Sequence, residues 1–174
     1  MVLVPEVCEA VKNANVGILA AGGIVTGRQM AACMAMGAHG AWTGSMWLTT
    51  TEAETSPVVK EKYTQASSRQ TVRSKYRTGK YSRQLRSAWT DAWEQDDAPA
   101  PLPMPLMSLV SEPALSRVTK LSEGGHQGAK QLATFFVGQG VGLMNDIQDT
   151  RTVVREFMED YLAATDRLAA TLDD

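Results

Sequence analysis

Apolar positions recur at helical spacing from the start of the chain. Val4, Val7, Cys8 and Val11 fall on one face, with Pro5 at a natural first helical position, so the pattern predicts a short helix over 4–14. Asn13 to Asn15 interrupt it. Val16 to Ala20 is then a continuous apolar run of strand length, the pattern of a strand buried on both faces in a parallel sheet. Ala21-Gly22-Gly23-Ile24 reads as a tight turn. Thr26 is a helix N-cap, and Gln29 three residues on completes a capping box. The helix it opens turns Met30, Cys33 and Met34 inward and ends at Gly37. After the His39-Gly40 loop, Ala41 to Thr43 forms a second strand candidate that runs into Gly44-Ser45. Helix, strand, helix, strand with short connections is the order of a parallel sheet with crossover helices.

Beyond residue 50 the pattern changes. Ser56-Pro57 starts a helix that reaches Ala66, and 82–95 reads as a helix with Leu85, Ala88, Trp89, Ala92 and Trp93 along one face. The proline-rich stretch Asp96 to Pro105 is not helical. A helix is expected over 106–121, with Pro113 as a break or restart. Residues 122–128 are glycine-rich, 129–137 apolar and helical, and Gly138 to Gly142 again glycine-rich. A final helix covers 150–172, with Val153, Val154, Phe157, Met158, Tyr161 and Leu162 as its apolar stripe. The expected organisation is an α/β part over 1–50 and a mostly helical part over 51–174.

Composition narrows the function classes. With 44% hydrophobic and 21% charged residues, the 174-residue chain has the make-up of a soluble globular protein. No apolar run is long enough for a membrane span, and no secretory signal opens the chain. Cys8 and Cys33 make neither a disulfide framework nor a metal pattern, and are expected reduced in a cytoplasmic protein. The formal net charge of −2 gives no overall attraction to nucleic acid. Residues 60–86 do hold nine of the seventeen Lys and Arg against the single acid Glu61, interleaved with Tyr63, Tyr76 and Tyr81. They match no nucleic-acid motif, and a solvated arm is the preferred reading. Trp89 and Trp93 are read as packing residues and the nine methionines as core filler.

The chemistry lies in the glycine turns. Each follows a candidate parallel strand, where ligands bind beyond the strand C-termini. Gly22 and Gly23 let an anion approach their amides, and the following helix N-terminus adds donors and positive dipole. Gly44 and Ser45 offer a second pair of amides and a hydroxyl. Two adjacent strand ends of this kind clamp one phosphate in barrel folds. The plainer alternative is that the glycines only make tight turns.

The run Ala20 to Leu48, AAGGIVTGRQMAACMAMGAHGAWTGSMWL, resembles the phosphate-binding signature of the nitronate monooxygenases, or 2-nitropropane dioxygenases, which are FMN-dependent barrel enzymes. Arg77 to Trp89, Pro101 to Leu106 and Phe136 to Asn145 resemble that family's C-terminal region, so the resemblance spans about Val2 to Leu168. Flavin-dependent enoyl-acyl-carrier reductases share the first signature, and dehydrogenases of the inosine-monophosphate type carry a related one. The later segments favour the nitronate family.

The resemblance implies a fold: the C-terminal portion of an FMN-type (β/α)8 barrel, its last two strands, followed by a mostly helical tail. A closed barrel takes about 250 residues, more than this chain holds. It implies that Ala21, Gly22, Gly23, Gly44 and Ser45 hold the FMN phosphate, although threonine is commoner at the position of Ser45. The implied substrates are an alkyl nitronate and O2. The family's earlier strands and its catalytic histidine, in a Gly-Gly-His stretch, precede the segment that matches Val2. No catalytic residue is therefore assigned, and the chain alone is expected to be inactive. Gly124-Gly125-His126 falls after the phosphate turns, and His126, like His39, is read as a solvated loop histidine. The basic stretch 60–86 is then either solvated or FMN-facing, and Gln139 receives no role. The alternatives are a non-catalytic remnant or interaction piece, self-associating through its open sheet edge, and an enoyl-acyl-carrier reductase fragment.

Overall fold

A computed structural model describes residues 2–172. They form two units, Met1–Ala53 with Asp146–Asp174, and Glu54–Asn145.

The first unit is built on two parallel strands. Helix α1 (Leu3–Ala10) precedes β1 (Leu19–Ala21), helix α2 (Gly27–Ala35) crosses over, and β2 (Gly40–Trp42) lies beside β1. The register pairs Leu19 with Gly40, Ala20 with Ala41 and Ala21 with Trp42. Both His39 hydrogen bonds extend this ladder by one step: its amide donates to the Ile18 carbonyl at 2.7 Å, and its Nδ1 accepts from the Ile18 amide at 2.9 Å. Ala20, Ile24 and Ala38 form the buried core, with Val4, Cys33, Ala41 and Phe157 packed against it.

The expectation of a strand buried on both faces fails. Ala20 is buried, but Leu19 is 56% and Trp42 69% exposed, because only one face of the strand pair is covered. The inward face of α2 differs in part. Cys33 packs against the core as expected, but Gly27 and Ala31 are the helix's buried residues and Met34 is exposed. The cause is α7 (Thr150–Ala170), which returns from the far end of the chain and packs on α2. A Cβ at Gly27 would overlap the Phe157 carbonyl and the Tyr161 backbone, so small residues on α2 let the two helices approach. Residues 146–172 therefore group with the strand pair. Thr51 donates to the Gln148 carbonyl at 2.9 Å, and Glu52 accepts from the Thr150 amide and hydroxyl at 3.0 and 2.8 Å.

The second unit holds α3 (Pro57–Gln65), an antiparallel hairpin of β3 (Thr71–Ser74) and β4 (Ser82–Leu85), and helices α4 (Ala88–Trp93), α5 (Leu106–Glu123) and α6 (Gln127–Leu132). The hairpin corrects the helix expected from residue 82. Only 88–93 of that segment is helical, and Ser87 caps it in a reciprocal pair with Thr90. Residues 133–137 are likewise extended, not helical. Val137 donates to the Arg83 carbonyl at 3.2 Å and Leu85 to the Phe135 carbonyl at 3.1 Å, so this stretch runs along β4. Pro113 does not break α5. It is exposed, as is Leu109, whose carbonyl the missing Pro113 N–H would otherwise bond, so the gap in the helix ladder falls on the solvent side.

Tyr63 is fully buried, and its hydroxyl donates to the Phe136 carbonyl at 2.9 Å. Burial pushes its phenol well above the ordinary tyrosine range. Among the described residues no helix is long and apolar enough to cross a membrane, and Cys8 and Cys33 are free thiols.

Candidate functional site

The parallel register decides where the two glycine turns lie. Ala21 ends β1 opposite Trp42, which ends β2. Gly22-Gly23 and Gly44-Ser45 therefore emerge beyond the same ends of two neighbouring strands, which lie about 4.8 Å apart in such a ladder. Gly22 and Gly23 have φ of 109° and 72°, the left-handed region in which a side chain is strained. Open space surrounds the Cβ positions of Gly22, Gly23 and Gly44. Among the described residues the amides of these three glycines have no hydrogen-bond partner.

Side chains hold both turns. The Gln29 carboxamide accepts the amides of Val25 and Thr26 at 2.8 and 3.0 Å, while its Nε2 donates to the Gly23 carbonyl at 3.1 Å. The capping box therefore ties the helix start to the glycine turn itself. On the other strand, Trp47 Nε1 donates to the Thr43 carbonyl and hydroxyl, both at 3.1 Å. Gly44 N-caps a 3-10 turn over Ser45–Thr49, and its carbonyl accepts from the Trp47 amide at 3.2 Å.

The helix N-terminus contributes less than its sequence promises. The Val25 and Thr26 amides are taken by Gln29. The Arg28 amide is taken by Asp160 of α7, at 2.7 Å, and the same carboxylate accepts from Arg28 Nε at 2.8 Å. Hydrogen bonding to the Arg28 side chain, then to its amide, holds the Asp160 carboxyl below the usual carboxylate range. The positive end of the α2 dipole is thus already met by an anion of the chain. What remains open for an external anion is the set of glycine amides. Gln29 was visible in the sequence as a capping residue. Asp160 and Trp47 carried no local signal, because their roles depend on contacts made only on folding.

The remaining candidates resolve differently. His126 N-caps α6, its Nδ1 accepting from the Ala129 amide at 3.2 Å, and His39 bonds to Ile18. Both rings have structural partners, so the picture of simply solvated loop histidines is incomplete. The basic stretch is not a uniformly solvated arm either: Lys60 and Arg77 are buried. Arg77 Nε and Nη2 donate to Glu112 at 2.8 and 3.1 Å, and its guanidinium stacks on Phe135 and Phe136. Lys62 Nζ donates to the Ala133 carbonyl at 2.7 Å, and burial pulls its ammonium below the ordinary lysine range. Trp93 stacks on Tyr76 at 4.8 Å and meets Trp89 edge-on, as packing residues do. Gln139 lies in a 3-10 turn over Gln139–Leu143. Among the described residues no cluster of His, Cys, Asp and Glu is placed to hold a metal ion.

Comparison with known proteins gives three findings. The family described as nitronate monooxygenase matches residues 1–160. A Mycobacterium tuberculosis protein named as a monooxygenase, Rv1533, is 52% identical over 169 residues, 97% of this chain and 44% of that protein. Among solved structures, the nitroalkane oxidase of Streptomyces ansochromogenes superposes with a TM-score of 0.78 at 24% identity, covering 95% of this chain and 45% of that one. FabK of Thermotoga maritima superposes at 0.72 with 27% identity, covering 98% and 51%. The chain spans about half the length of the curated relatives it matches.

Proposed function

This chain belongs to the nitronate monooxygenase family, and from that membership we propose that its glycine turns hold the phosphate of FMN. In this reading the strand pair is the end of a flavin-binding (β/α)8 barrel, and the reaction served is the oxidation of alkyl nitronates with O2. The observation that carries it is the register of Ala21 against Trp42, which aligns the two glycine turns at one edge.

The residues suit the group. Gly22, Gly23 and Gly44 offer unpartnered amides and no side chain in the way, and Ser45 adds a hydroxyl beside them. Backbone amides of this kind recognise phosphate oxygens by charge-assisted hydrogen bonds. Ala21 ends the strand and starts the turn. Gln29 and Trp47 hold the two turns in place, so little ordering remains to be done on binding. When bound, FMN supplies the electron transfer from nitronate and the reaction with O2. No described residue is assigned to proton transfer, and we infer that the 174 residues alone turn over no nitronate.

Titration of the full chain with FMN, followed by flavin fluorescence, tests the binding step. Saturable uptake that Gly44→Ala weakens is expected, and no uptake at all overturns it. Oxygen consumption with an alkyl nitronate tests the second statement, which robust turnover would refute. A second reading is favoured by the exposed Leu19 and Trp42 on the uncovered strand face. Such a face associates with another copy or a complementary chain, and light scattering after size exclusion distinguishes that from a monomer.

A further inference from the structure

The β3–β4 hairpin places Arg73 directly opposite Arg83. Opposed residues of an antiparallel pair share a face with Cβ atoms about 5 Å apart, where like charges repel. Alternation puts Lys75 and Tyr81 next along that face. The Arg73 Cζ lies 5.1 Å and the Lys75 Nζ 4.7 Å from the centroid of the Tyr81 ring, which is 61% exposed. Arg83 donates to the Thr71 hydroxyl at 2.9 Å.

Among the described residues none of Arg73, Lys75 and Arg83 has a carboxylate partner. Arg77 and Arg86, from the same stretch, each have one, Glu112 at 2.8 Å and Asp91 at 2.7 Å. The unit that carries the hairpin has twelve Lys and Arg against eight Asp and Glu, while the other unit has five against eleven. The whole-chain charge of −2 averages these away.

We propose that this face of the hairpin is a binding site for the phosphoryl group of a small ligand, a phosphomonoester or pyrophosphate, bridged between Arg73 and Arg83 with Lys75 at its side. An anion there turns a repulsive cross-strand pair into a pair of charge-assisted hydrogen bonds. Two planar guanidinium forks and an ammonium offer more donors than one carboxylate accepts, whereas the several oxygens of a phosphoryl group use them. Arg73 and Arg83 are directly opposed and Lys75 follows one alternation step on, about 7 Å along the strand, so their backbone positions give a footprint for one ligand group instead of an extended polyanion, with the Arg83 guanidinium turning from the Thr71 hydroxyl to reach it. The site shares no residue with the glycine turns and does not rest on the FMN reading.

Isothermal titration of the full chain with inorganic pyrophosphate at low ionic strength tests it, with sulfate as the competing anion. The expected result is saturable binding, weakened about tenfold in Arg73→Thr and in Arg83→Thr. Arg117→Ala, an exposed arginine of α5, should change it by less than about twofold. The hairpin's own stability gives a second measurement: Arg73→Thr should melt at or above the wild type without anion, and lose the stabilisation pyrophosphate gives the wild type. Equal affinity for sulfate would mean an adventitious anion only. Binding that survives the Arg73→Thr, Arg83→Thr double substitution, or no saturable binding, equally overturns the proposal.

Discussion

Gln29 and Gly23 are joined across the start of α2, with Nε2 of the glutamine donating to the glycine carbonyl at 3.1 Å. The other end of the same carboxamide receives two amides of the helix start, Val25 and Thr26. One side chain therefore serves as helix cap and as brace for the turn proposed to meet the flavin phosphate.

Replacing Gln29 by Ala removes both roles. The loss of a cap predicts about 1 kcal/mol less stability in thermal unfolding. FMN uptake is expected to fall about tenfold, or about 1.4 kcal/mol, because the turn must then be ordered on binding. Gln29→Glu should keep most of the stability and still lose uptake, since it accepts from Val25 and Thr26 but has no donor for Gly23 when ionised.

Two glycines separate backbone strain from anion access. Gly23 has a φ of 72°, so Gly23→Ala should destabilise by about 1–2 kcal/mol in urea titrations. Gly44 has a φ of −130° and open space around its Cβ position, so Gly44→Ala should stay within about 0.5 kcal/mol of the wild type. Both should weaken FMN uptake. Full uptake by Gly44→Ala would remove that residue from the proposed site.

The α2–α7 seam should be intolerant. Gly27→Ala drives a methyl group into the backbone of Phe157 and Tyr161, neither of which can rotate away. A loss of about 3 kcal/mol or more is expected, read as a lower urea midpoint or as failure to fold.

Acid should loosen the same seam. Asp160 is held below the usual carboxylate range by hydrogen bonds from Arg28, Glu52 by the Thr150 hydroxyl, and Asp149 by the Thr152 amide. Carboxyls depressed in the folded state stabilise it above their unfolded pKa of about 4, and that contribution is lost as pH falls through the folded values. Stability should therefore drop below about pH 4, and Asp160→Asn should make the fall shallower in unfolding measured from about pH 5 to pH 2.

Arg77 should be indispensable to the second unit. It is 4% exposed, paired with Glu112 and stacked on two phenylalanines. Arg77→Ala leaves a void beside Phe135 and Phe136 and takes the donor from the Thr134 carbonyl, while the half-exposed Glu112 is solvated, for a loss of about 2–3 kcal/mol in denaturant titration. Arg77→Lys should recover little, since an ammonium cannot supply the two-pronged contact.

The local pattern by itself determined the αβαβ order, the capping box at Thr26 and Gln29, the glycine turns and the long final helix. These follow from short-range chemistry: apolar period, caps and backbone freedom are properties of neighbouring residues. The hairpin at 71–85 was not legible, because its strands carry Arg, Ser and Gln and are defined by pairing with each other and with 133–137. Nor was the covering of only one strand face, the burial of Arg77, or the arrival of Asp160 at the start of a helix 132 residues earlier in the chain. Those features depend on which surfaces meet on folding, and side-chain periodicity carries no information about a partner so distant in the chain.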